Sequence, residues 1–61
     1  MKTEIHFFKS ANDKIVVETL YQPMINSHLE FAGRDYKIVN EKTVIDQDGD
    51  VIFQYTAIIP S

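Results

Sequence analysis

The sequence predicts an all-β domain: five mainly antiparallel strands in meander order, curled into a small barrel or a strongly bent sheet. Three observations predict it. Runs of Val, Ile, Tyr, Phe and Thr recur at strand length, as a pleated, half-buried surface prefers. Turn-forming residues separate these runs, and sustained helical spacing is absent. Apolar residues also occupy both faces of most strands. In the last one, Val51, Phe53, Tyr55, Ala57 and Ile59 share one face, while Ile52, Gln54, Thr56 and Ile58 share the other. An antiparallel sheet with one solvated side needs a single apolar face. The second set calls for a closed barrel, a covering element or a partner.

The strands fall in order at 2–9, 14–21, 28–32, 35–46 and 50–59. Between the first two, a three-residue loop at Ala11–Asp13 aligns Phe7 with Val17, Ile5 with Thr19, Phe8 with Val16, and His6 with Glu18. Pro23-Met24-Ile25-Asn26-Ser27 follows, where proline opens at most one helical turn. A type II′ turn at Gly33-Arg34 then sets Phe31 opposite Tyr36, Leu29 opposite Ile38 and Glu30 opposite Lys37. The fourth strand changes parity: Tyr36 and Ile38 share one face, Val39 and Ile45 the other. A bulge or bend near Asn40 accounts for the switch and lets one strand pass between two parts of a barrel. Asp48-Gly49 reads as a type I′ turn, pairing Ile45 with Ile52 and Val44 with Phe53.

The 61 residues allow one domain and one modest core, spanning positions 1–61. Such a short chain buries only about 60% of the surface its unfolded form exposes, so its stability is marginal. It has no cysteine, which excludes disulfides and thiolate metal sites. No apolar run approaches the roughly 18 residues of a membrane helix, and the opening Met1–His6 stretch is too polar for a signal peptide. A soluble, cytoplasmic protein is the resulting expectation. The net charge is −3, and the six basic residues are scattered singly among acids. That distribution argues against a nucleic-acid binder, which carries a basic patch or stripe.

No catalytic, cofactor-binding or metal-binding constellation is legible. Asp46-Gln47-Asp48-Gly49-Asp50 resembles the start of a calcium loop, yet Val51 stands where that loop needs glycine and Ala57 where it needs glutamate. His6 and His28 are the only imidazoles and have no converging partners in sequence. Gly33 and Gly49 stand alone and cannot cradle a phosphate. The chain is therefore expected to be no enzyme. Phe31, Arg34, Tyr36 and Lys37 combine aromatic and basic character near one turn, as single-strand nucleic-acid binders do. The simpler account makes Phe31 and Tyr36 core residues. The stronger candidate surface is the second apolar set: Phe8, Val16, Leu20, Ile52 and Ile58. The apolar end Ala57-Ile58-Ile59-Pro60 adds to it, since a greasy terminus is normally docked on something.

The stretch from Pro23 to Tyr55 resembles short, mostly uncharacterised proteins of bacteriophages and other bacterial mobile elements. The matching residues are Pro23, Leu29, Phe31, Gly33, Tyr36, Ile38 and Val39, then Asp46, Asp48, Val51 and Phe53. Asn26-Ser27 replaces the Gly-Asp usual before the third strand. The resemblance implies a small SH3-like or related barrel, no catalytic residues, and an accessory role on a host or phage protein. Together the readings give a non-enzymatic protein-binding module acting through an apolar sheet face, with homodimerisation as one form of that binding. A small nucleic-acid-binding barrel is the alternative.

Overall fold

The computed structural model describes residues 1–60. The strands are β1 (Lys2–Ser10), β2 (Asp13–Thr19), β3 (His28–Phe31), β4 (Arg34–Ile45) and β5 (Val51–Ile58), with no helix among the described residues. They form one sheet in the order β2-β1-β5-β4-β3, curled into a half-barrel. Three of its four pairings are antiparallel, but β1 and β5 run parallel at the centre. The expected meander is therefore corrected: β2 and β3 are not neighbours but lie at opposite edges. The 20–27 stretch is what carries the chain from one edge to the other. Residues 24–27 make a turn there (Ser27 N–H to Met24 O, 3.1 Å), and Pro23 is buried beneath.

The core lies on the concave face. Ile5 and Phe7 of β1, Tyr36 and Ile38 of β4, and Tyr55 and Ala57 of β5 are each at most 3% exposed. Period-2 alternation puts them on one side, and the parallel register sets Ile5 beside Tyr55 and Phe7 beside Ala57. Burying each of the larger side chains contributes about 1.5–3 kcal/mol. Val17, Leu29, Phe31, Phe53 and Ile59 pack around this cluster. The Phe7 and Phe31 rings stack with centroids 4.2 Å apart, and Tyr36 meets Phe7 edge-on at 4.9 Å. Phe7 and Phe31 sit on strands three places apart, about 14 Å in a flat sheet. Their contact is thus a direct measure of the curl.

The bend expected near Asn40 is present as a bulge at Val39, between the Ile38–Ala57 and Asn40–Thr56 pairs. Bulges sharpen local twist, and this one lies beside the point where β3 folds in over the core. Just before β3 the 24–27 turn is tied to β4: Asn26 N–H donates to Ile38 O at 2.8 Å, and Ile38 N–H donates to Ser27 O at 2.9 Å.

The three hairpins differ in register from expectation. β1 and β2 are joined by two residues, Ala11-Asn12, with a bulge at Lys9, so Phe7 lies opposite Ile15, Ile5 opposite Val17 and His6 opposite Val16. Ala32-Gly33 forms the β3–β4 turn, both at positive φ (53° and 78°), which places Leu29 opposite Tyr36 and Phe31 opposite Arg34. That is type I′ geometry, not a type II′ turn at Gly33-Arg34. Both slips are of two residues, so every side chain keeps its predicted face. The β4–β5 slip is of one residue: Ile45 faces Val51 and Val44 faces Ile52. Its cause is Asp46, whose carboxylate accepts from the Asp48 and Asp50 amides at 2.9 Å each and holds a wider loop than a two-residue turn.

Candidate functional site

The convex face divides into three zones along β1 and β5. At one end, the parallel register brings Phe8 of β1 beside Ile58 of β5. Ile58 is 39% exposed, and Val16, on the neighbouring strand beside His6, is 45% exposed. The bulge at Lys9 and the turn beyond it leave an open groove of about 410 Å³, lined by Phe8, Lys9, Ser10, Ala11, Thr56, Ile58 and Ile59. Its floor is apolar, Lys9 is part of its wall, and the Lys14 ammonium stands over Phe8, 5.9 Å from the ring centre.

The middle zone is polar. Glu4 accepts hydrogen bonds from Gln54 Nε2 (3.2 Å) and His6 Nε2 (3.3 Å), while Lys2 bridges Glu4 (3.7 Å) and Glu18 (2.9 Å). Partial burial pushes the Glu4 carboxyl up. The His6 and Gln54 hydrogen bonds and the Lys2 charge outweigh that and leave it below the ordinary carboxylate range. Glu18 in turn raises the Lys2 ammonium, mainly through their hydrogen bond. The expected His6–Glu18 pair is not formed: the two-residue slip puts Val16 opposite His6, and His6 bonds Glu4 on its own strand. Glu4 faces Glu18 across the ladder, and Lys2 is the counter-charge that makes this like-charge pairing tolerable.

The far end holds Ile52, half-buried between Lys2 and Val44. Leu20, 94% exposed, projects just past the end of β2 near Lys2 and Gln22. The five apolar residues singled out in sequence are therefore not one patch. Phe8 and Ile58 meet at one end, and Val16, opposite His6, borders the polar band. Ile52 and Leu20 lie at the other, six residues or about 20 Å along the strands, beyond the polar band. The apolar C-terminal stretch is docked largely on the chain itself: Ala57 is fully buried and Ile59 packs on the core, leaving Ile58 to face outward.

Phe31, Arg34, Tyr36 and Lys37 do not converge either. Tyr36 is 1% exposed and Phe31 stacks on Phe7, both on the concave side. Lys37 lies on the convex face opposite Ile58 and His28. The Glu30–Lys37 pair is also absent from the register, where Glu30 faces Asp35. Asp35 is instead bonded by His28 Nδ1 at 2.9 Å. Arg34 remains at the rim, where it and Lys9 flank Phe31 around a hollow of about 340 Å³. Sequence reasoning missed Ser10, Ala11 and Thr56 as groove residues. Thr56 lies two residues from Ile58 on the same face of β5, but only the parallel β1–β5 pairing brings Ser10 and Ala11 there, and no local signal announces that pairing. No family model, curated protein or solved structure matches the chain.

Proposed function

We propose that this chain is a non-enzymatic protein-binding accessory module, acting through the apolar groove of Phe8 and Ile58 on its convex sheet face. The observation that carries the reading is an outward-facing Ile58 beside Phe8 on a sheet whose core cluster lies on the other side. Apolar surface left exposed beyond the needs of the core favours an interface. The resemblance to short, mostly uncharacterised proteins of phages and mobile elements, which implies a small SH3-like or related barrel, agrees with the same reading and suggests a host or phage protein as the partner. Capture from a bacterial lysate tests it. A protein retained by the native chain and by Leu20→Lys, but lost with a folded Ile58→Lys variant, is the expected result. Equal retention by all three chains overturns it.

A second reading, a small nucleic-acid-binding barrel, draws on Lys9 and Arg34 flanking Phe31. Absence of binding to single-stranded DNA or RNA at about 50 mM salt ends it, because contacts to phosphate are strongest at low salt.

A further inference from the structure

We propose that β2 is a homodimerisation edge, at which two copies join antiparallel about a twofold axis through Val16 to make one continuous ten-stranded sheet. Among the described residues β2 pairs on one side only, with β1. Along its outer side the backbone N–H and C=O groups that point away from β1 are open. At seven residues it is the longer of the two edge strands, since β3 has four. Natural edges are blunted by proline, bulges or a central charge. β2 has neither proline nor bulge, and its middle reads Ile15-Val16-Val17.

The occupant follows from the self-complementarity of that strand. An antiparallel partner centred on Val16 sets Lys14 opposite Glu18 of the second copy, and Glu18 opposite the second copy's Lys14. Ile15 meets Val17 on the concave side, Val16 meets its own equivalent on the convex side, and Asp13 meets Thr19. Every apolar residue faces an apolar one and each unlike-charge pair occurs twice. Sliding by two residues destroys this: one direction puts Val16 opposite Glu18, the other puts it opposite Lys14. A one-residue slide mixes the two faces. No such match exists at the other edge, where β3 offers a single acid and no lysine. The contact also relieves a local strain in charge. Glu18 faces Glu4 within its own sheet, and a second lysine arriving from the partner joins Lys2 in offsetting that repulsion. Ile15 and Val17, half-buried at the margin of the core, become interior as the two cores meet. The twofold makes the contact isologous, so it closes at two copies. It uses the edge strand, not the Phe8–Ile58 groove, and does not depend on a partner binding there.

Charge reversal with rescue tests it, read by sedimentation equilibrium up to about 200 μM, since dimer populations depend on concentration. The native chain is expected to dimerise. Lys14→Glu and Glu18→Lys alone should each weaken the dimer about tenfold or more, because each reversal places like charges opposite each other twice. The double reversal restores unlike pairs and should return within about threefold of native affinity. Far-UV circular dichroism checks that each variant keeps its sheet. A native chain that stays monomeric overturns the proposal. So does a dimer indifferent to both single reversals, or one that the double reversal fails to restore.

Discussion

The two halves of β4 share one strand but not one fate. Before the Val39 bulge, Tyr36 and Ile38 are only 1% and 0% exposed and lie on the stretch of β4 that runs between β3 and β5. Beyond it, residues 40–45 pair with β5 alone, and Ile45 is 67% exposed. The difference lies in what stands over each half. The first is roofed by the Phe7–Phe31–Tyr36 cluster. The second offers Glu41 and Thr43 to the concave face and has no third strand beside it. Regular hydrogen bonding continues through both halves, so pairing alone does not define a core. Side-chain burial does.

Substitutions in the two halves should separate them cleanly. Ile38→Ala is expected to cost about 2–5 kcal/mol, enough to unfold much of so small a domain, and denaturant melts would record it. Deleting Val39 should do less. The flanking Ile38–Ala57 and Asn40–Thr56 pairs become consecutive, so no side chain changes face. What is lost is bend. Far-UV signal should persist while Tyr36 and Phe31 lose their fixed packing, visible in near-UV dichroism and aromatic NMR shifts; unchanged aromatic shifts would show that the bulge does not set the curl. In the turn that feeds the buried half, Ala32 occupies a positive φ of 53°. Ala32→Asn supplies the Asn-Gly pair favoured there and should stabilise by about 0.5–1 kcal/mol. Ile45→Ala, at the exposed end, should stay within about 0.5 kcal/mol of native.

Titration probes the join between the halves. Burial, reinforced by Glu41 across the ladder, raises the Tyr55 phenol above its ordinary value of 10.0. The folded state thus holds this proton more tightly than the unfolded one. Its contribution is fully present below pH 10 and is lost as pH rises through the folded value. Tyr55→Phe should flatten that alkaline loss in melts between pH 9 and pH 12. Glu4 works the other way. Its folded value lies below the ordinary 4.5, so its contribution is present above that and fades as pH falls through the folded value. Glu4→Gln should blunt the acid limb of the same curve.

Strand positions, the parity switch in β4 and the all-β class were legible because composition and period-2 patterning act locally. Registers were less so. Glycine is the obvious bearer of positive φ, so Gly33-Arg34 looked the natural turn. The fold asks Ala32 to take that conformation as well, and the packing of Phe31 onto Phe7 is the compensating gain. Asp46 misled in another way: its carboxylate ties two amides of its own loop, a bond that dipeptide turn rules do not contain. At the candidate site, the individual residues Phe8, Val16 and Ile58 could be read from the chain. Their grouping, and the separation of Leu20 and Ile52 from them, could not. Both follow from the parallel pairing of the first strand with the last, which leaves no trace in nearby residues.

That pairing also governs the order of events as the chain is made. The β1–β2 hairpin can form as soon as Thr19 has emerged, and β3–β4 can follow after Ile45, each from close neighbours in sequence. The strand that unites them is translated after both. Until Ile58 is available, Phe7 has no Ala57 beside it and Phe31 no fixed ring to stack on. Two unjoined hairpins must therefore wait with their apolar faces wet. Joining them is a closure of high sequence separation, the kind of pairing that slows folding, and unpaired apolar strands are the kind of surface on which chains aggregate.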